Sequence, residues 1–411
     1  MSRKNKEKDN GMDKEAWNKL KQPLDLVSLL FIFLIFINFR DIPNRYALLG
    51  AAGLYFFYMI LYKKIQLDLN AILVGITLFV YARLRGFQVS DVIMHAVLPL
   101  AFALFGKSLM TAERERNGHS CFILLPVTVF LIGYSGHGVL NGITYFVQGT
   151  IAEGVRSWAD FWTGEILKGT QHSIYLLPLL SVAVPAFIYI KEYKILCSSI
   201  LAGSLFFLYY AWDSLARTPI MIFFMLAAWE LILFAYLNRN KKKLFGHIKN
   251  ILFATAILGI LILGLIIFNW NTISKIPFVA NLSKDGGILN NVRFVAQSSV
   301  LVNLFKYPKG GMPIEGLKMA HNVWLDMALD TGILTFGMFT LYTVVSLVQL
   351  IRLLRSSAPD ELKYVMSGIY FAFILYYSVE PALNANIQFL VPWIFNNGLI
   401  AGVVQNESIR S

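Results

Sequence analysis

Apolar runs long enough to cross a lipid bilayer recur along this chain, separated by short segments that carry most of its charge. A hydrocarbon core about 30 Å thick takes roughly 20 helical residues per crossing. Runs of this kind lie near 24–39, 46–62, 67–82, 90–106, 121–140, 172–190, 195–212, 219–237, 250–268, 331–351, 364–379 and 387–404. With 57% apolar and 15% charged residues, the chain falls outside the range of soluble globular proteins. The pattern predicts an all-α polytopic membrane protein of about twelve transmembrane helices, occupying residues 23–404.

Basic residues set the orientation, because cytoplasmic loops retain Lys and Arg. With both termini inside, 23 of the 36 Lys and Arg residues fall on the cytoplasmic side, and six of the remaining 13 sit in one long loop. The net charge of +12 is thus a consequence of topology and does not point to nucleic acid. Residues 1–22 carry charges of both signs and almost no large apolar side chains, and read as a disordered cytoplasmic tail. Residues 405–411 form a short cytoplasmic C-terminal tail. Cys121 and Cys197 fall at cytoplasmic helix ends, where thiols stay reduced, and their spacing fits neither a disulfide nor a metal site.

Two outer-face segments, 141–171 and 269–330, are long enough to fold. The first contains Arg156, Trp158, Asp160, Phe161 and Trp162. This cluster suits an aromatic anchor at the lipid headgroups, with stacking on a sugar ring as the alternative. The second contains Val292, Val295, Val300, Leu301, Leu304 and Phe305 at spacings that fit a helix lying along the membrane surface. Lys306-Tyr307-Pro308-Lys309-Gly310-Gly311 then turns the chain, and a new helix is expected from about Gly316 through His321 into the next span.

The motifs of soluble enzymes are missing: there is no P-loop, no Rossmann glycine pattern and no His-Glu-x-x-His. Gly133-Tyr134-Ser135-Gly136-His137 departs from a nucleophile elbow at its last position and reads as small residues at a helix contact. Three outer-face positions stand out instead. Arg217 is wedged between two spans and is either functional or paired with Asp213 and a lipid phosphate. Arg293 lies within the long loop, and His321 closes it. Glu380, beside Pro381, either meets an Arg or acceptor group or caps its helix.

The run His321-Asn322-Val323-Trp324-Leu325-Asp326, followed by Thr331-Gly332, resembles the His-Asn-x-x-Leu…Gly signature of the O-antigen ligase and polymerase superfamily. Leu215-Ala216-Arg217 is similar to that superfamily's Ser-Arg pair with Ala in place of Ser. Arg293 and Pro308-Lys309-Gly310-Gly311 match its loop Arg and its Pro-x-x-Gly turn. The resemblance implies a multi-spanning glycosyltransferase on the outer face of the bacterial inner membrane, taking sugars linked to undecaprenyl diphosphate as donor and acceptor. It implies Arg217 and Arg293 as a clamp on the diphosphate, His321 as activator of the acceptor hydroxyl, and Asn322 as its positioning neighbour. Lys309, Arg156, Trp158 and Glu380 are further candidates for substrate contact. Such chemistry requires no metal, nucleotide or other cofactor, and the resemblance leaves room for a chain-length regulator as a further partner.

Polymerase and ligase share the signature. Polymerase is the preferred reading, with transfer to lipid A core or another acceptor as the alternative. A transporter of lipid-linked sugars is more remote, because His95 is the main polar group among the mid-span positions and no internal repeat is visible.

Overall fold

The computed structural model describes residues 9–62, 67–117, 121–149, 157–239, 275, 292–314, 317–381, 383 and 389–405. Apart from one small ribbon, the regular secondary structure of these residues is helical. The chain forms two compact units, the first comprising residues 1–137, 330–366 and 385–411, the second 138–329 and 367–384.

The first unit contains α1 (Asp9–Phe36), α2 (Asn44–Tyr62), α3 (Leu69–Leu84), α4 (Val89–Asn117), the start of α5 (Leu125–Gln148), α12 (Ile333–Arg355), the start of α13 (Asp360–Tyr377) and α14 (Val391–Gln405). Its core is the contact of α14 with α4. Every residue from Val391 to Val403 is buried. Small residues let the two backbones approach: a Cβ at Gly106 would lie 2.9 Å from the Phe395 carbonyl oxygen. Phe36, Phe102, Phe105 and Phe130 surround the Phe395 ring with centroids 5.2–6.1 Å away. Gly133 meets α1, where a Cβ would lie 3.1 Å from the Phe33 carbonyl, in keeping with its reading as a helix contact.

Polar pairs join these helices at their ends. The Tyr58 hydroxyl donates to Asp25 at 2.8 Å, and Arg116 forms an ion pair with the same carboxylate. Tyr81 donates to Asp330 at 2.9 Å, and Arg85 also pairs with Asp330.

The second unit contains the rest of α5, β1 (Ser157–Ala159), β2 (Ile166–Lys168), α6 (Gly169–Leu180), α7 (Ala183–Ile188), α8 (Lys194–Asp213), α9 (Arg217–Leu237), α10 (Val292–Asn303) and most of α11 (Val323–Thr331), with the end of α13. The ribbon is antiparallel, with Trp158 opposite Leu167. Its turn is built by Asp160, which accepts from the N–H groups of Trp162 and Thr163 at 2.9 and 3.1 Å and is held by Asn141 of α5 at 3.1 Å.

Among the described residues, five helices are long and apolar enough to cross a membrane: α2, α4, α8, α9 and α12. The chain is thus a membrane protein by length and composition. The expected run at 250–268 lies outside the described residues, and those near 24–39 and 67–82 correspond to shorter apolar helices.

Four expectations are corrected. Helix α1 begins at Asp9, so the stretch from there to 22 is helical and not a disordered tail. Its Lys, Glu and Ala residues favour helix and extend the apolar segment that follows. The run at 172–190 breaks into α6 and α7 around Ser181, between Pro178 and Pro185. Helix α5 continues to Gln148, so the segment expected to start at 141 is helical over its first residues. Finally, the helix expected from about Gly316 begins only at Val323, because His321 has φ +56°, in the left-handed region that ends or precludes a helix.

Candidate functional site

Arg293, His321, Asn322, Glu380 and the Arg217 end of α9 converge at one corner of the second unit, where the ends of α9, α10, α11 and α13 meet. Helix α13 stops at Tyr377, so the carbonyls of the residues just beyond it have no helical N–H to accept from. Those of Ser378 and Val379 become acceptors for side chains from elsewhere. Arg293, on the first turn of α10, donates from Nη1 to the Val379 carbonyl at 3.1 Å and to Glu380 Oε1 at 2.8 Å. Gln297 lies one turn further along the same face. Its amide donates to the carbonyls of Ser378 at 3.1 Å and His321 at 3.3 Å. Asn322 donates to the Ser378 carbonyl at 3.2 Å.

The backbone around His321 is fixed from both sides. Asn322 is the N-cap of α11, its Oδ1 accepting from the Leu325 N–H at 3.1 Å. Asp326 reaches back to accept from the Ala320 N–H at 2.6 Å. Between these anchors His321 adopts its left-handed conformation, an arrangement that costs about 1 kcal/mol for a non-glycine residue and is sustained only by its surroundings. The imidazole is partly buried, and its Nδ1 is enclosed with no hydrogen-bond partner. Burial pushes its proton affinity below the ordinary value of 6.5, and the Arg293 charge pushes the same way. At neutral pH the ring is therefore uncharged and can accept a proton.

Glu380 is 1% exposed and is held by Arg293 and by the Thr218 hydroxyl at 3.0 Å. Burial raises its proton affinity, and that outweighs the opposing pull of Arg293 and Thr218. With so little surface it serves to position its neighbours. Thr218 is the second residue of α9, so its bond to Glu380 brings the adjacent Arg217 and the N-terminus of α9 to this corner. The turn before α9 is a Schellman motif: Ala216 N–H donates to Ala211 O at 2.8 Å, with Leu215 at φ +56° where glycine is usual. Ala216 is the N-cap of α9 and supplies no side-chain bond. The Arg293 guanidinium thus acts on a neutral imidazole, and the α9 N-terminus reaches the same corner through Glu380. The Arg293 side chain is 31% exposed and keeps an accessible surface for an anion.

The other candidates lie elsewhere. Lys309 is exposed in the turn after α10, which is pinned by the Gly311 N–H to the Leu329 carbonyl at 2.8 Å, toward the far end of α11 from Asn322. Trp158 belongs to the ribbon, and Arg156 lies outside the described residues. Asp160 forms the ribbon's turn. Gln297, Ser378 and Thr218 escaped the sequence reading, and Asp326 was part of the signature run without a role of its own. Only Gln297, four residues after Arg293 in a helical pattern, gave a usable signal. Among the described residues no group of His, Cys, Asp and Glu is arranged to hold a metal ion.

In comparison with known proteins, the chain matches no family model and no curated protein.

Proposed function

We propose that this chain is a membrane-embedded glycosyltransferase that joins oligosaccharide repeat units carried on undecaprenyl diphosphate into a surface polysaccharide. Its site faces the outer side of the bacterial inner membrane, both termini are cytoplasmic, and about twelve helices cross the bilayer. The observation that carries the reading is the convergence of His321, Arg293 and the Arg217 end of α9 around the terminus of α13, in residues whose sequence resembles the O-antigen ligase and polymerase superfamily.

The chemistry follows from the charges. Breaking a sugar–diphosphate bond transfers the glycosyl carbon to an acceptor oxygen and leaves the bonding pair on the diphosphate. That developing anion is stabilised by guanidinium forks and by helix N–H groups. Arg293 is held by Glu380 and the Val379 carbonyl, so its orientation is set before substrate arrives. Arg217 adds a second charge at the start of α9. The acceptor hydroxyl loses its proton as the new bond forms, and the neutral imidazole of His321 receives it. Asn322, by capping α11 and holding the Ser378 carbonyl, positions the His321 backbone. The donor, the acceptor and surrounding lipid are the only partners the step requires.

Reconstitution with one defined undecaprenyl-diphosphate oligosaccharide and no other acceptor tests the reading. A ladder of repeats that disappears in His321→Ala supports a polymerase. Product that forms only after lipid A core or another acceptor is added identifies a ligase. No transfer to any acceptor from a matched donor, with the protein folded, overturns the reading.

A further inference from the structure

Glu230 lies deep within α9, about 20 Å along the helix axis from Arg217. Its side chain is 1% exposed, and neither carboxylate oxygen has a hydrogen-bond partner. Among the described residues it forms no ion pair. A bare carboxylate in such surroundings is strongly disfavoured, so the group must be neutral or neutralised.

A second orphan faces it. Ser181 sits at the break between α6 and α7, and its carbonyl would ordinarily accept from the residue four positions on. That residue is Pro185, which has no N–H. The Ser181 hydroxyl is committed to the Pro178 carbonyl at 2.8 Å. The third wall is Gly368 of α13. A Cβ added there would lie 2.7 Å from Glu230 Oε1 and 2.8 Å from the Ser181 carbonyl oxygen, so both oxygens line the notch left by the missing side chain. Two acceptors in one buried notch satisfy each other only if a hydrogen or a cation stands between them. A hard cation such as Ca²⁺ or Mg²⁺ takes about six or more oxygen ligands, more than this notch offers. A proton needs only these two.

We infer that Glu230 is a proton-binding site inside the membrane-spanning part of the protein, held as a carboxylic acid that donates its hydrogen to the Ser181 carbonyl. The bond latches α9 to the α6–α7 break across the Gly368 notch. Helix α9 also carries Arg217 and Thr218 at its outer end, and α13, which carries Gly368, ends at the Ser378 carbonyl. Proton occupancy therefore bears on the two helices that frame the candidate site, whatever reaction that site performs.

The test is infrared spectroscopy on the purified full-length protein at neutral pH, with each variant subtracted from wild type. Wild type should show a protonated-carboxyl band that Glu230→Gln lacks, while the Gln variant, whose amide can donate to the same carbonyl, unfolds within a few degrees of wild type. Pro185→Ala restores an N–H to the Ser181 carbonyl and should shift the Glu230 band, a readout that stands even if Glu230→Gln fails to fold. Carboxylate bands in place of the acid band overturn the inference. So does an unfolding temperature that rises with sodium or potassium chloride relative to choline chloride in wild type but not in Glu230→Gln, which would make the occupant a metal cation.

Discussion

At the scale of single residues, His321 and Arg293 carry the most direct expectations. A neutral base predicts transfer that is flat through neutral pH and falls as the pH drops through a midpoint below 6.5, as the ring takes up a proton. Burial and the Arg293 charge both depress that midpoint, so removing the charge should raise it. An NMR titration of labelled histidine should therefore show the His321 midpoint move upward in Arg293→Gln, and an unchanged or lowered midpoint would separate the two groups. The same depression destabilises the folded state on acidification, because the unfolded imidazole takes up its proton first. His321→Ala should reduce transfer by about 10²–10⁴-fold, the range for losing a general base. Arg293 has two roles that can be separated. Arg293→Ala leaves Glu380 buried without its cation, which should lower stability by about 1–3 kcal/mol. Adding Glu380→Gln should restore most of that stability in thermal unfolding without restoring transfer. A double variant that regains transfer would reduce Arg293 to a structural brace.

At the scale of elements, the site is an arrangement of helix ends, and its caps can be tuned. Ala216 occupies the N-cap of α9 without a side-chain bond, so Ala216→Ser should add about 1 kcal/mol to thermal stability through a new bond to the first turn. Arg217 should keep its function, and a loss of transfer would show that the α8–α9 turn tolerates no change. Asn322→Ala removes both the cap of α11 and the donor to the Ser378 carbonyl, and should cost about 0.5–2 kcal/mol along with reduced transfer, checked by unfolding and by the ladder assay. These elements also show what the sequence can convey. The apolar runs predicted α2, α8, α9 and α12 closely, because hydrophobic length is a local property. Helix α10 was legible from its apolar spacing, although of its apolar positions Val300 faces inward while Val295 and Leu301 are exposed. The start of α11 was misjudged because a single left-handed residue, His321, is fixed by Asp326 and Gln297, and no local pattern announces those contacts. The ion pair of Arg293 with Glu380 joins residues far apart in the chain, so the sequence could propose each residue but not their union. Ser378 contributes only a backbone carbonyl, which no residue type reveals.

At the scale of the whole molecule, the proposal depends on which side of the membrane the site faces. The proposed topology, drawn from the excess of Lys and Arg in alternate loops, puts the 239–249 segment in the cytoplasm and the segment containing Arg293 and His321 outside. The long loop carries six basic residues of its own, but long loops translocate largely regardless of charge, so the short loops decide. Single cysteines introduced by Lys242→Cys and Lys284→Cys, in a background with Cys121 and Cys197 replaced by Ser, test this assignment in intact cells. A membrane-impermeant thiol reagent should label position 284 from outside and reach position 242 only after the membrane is permeabilised. The reverse pattern would place His321 and both arginines in the cytoplasm, where nucleotide sugars are available and an undecaprenyl-diphosphate donor is no longer the natural substrate. Labelling of both from outside would mean that the chain between them does not cross the membrane an odd number of times. The run at 250–268 would then lose its place as a span, and the number of crossings after α9 would change by one.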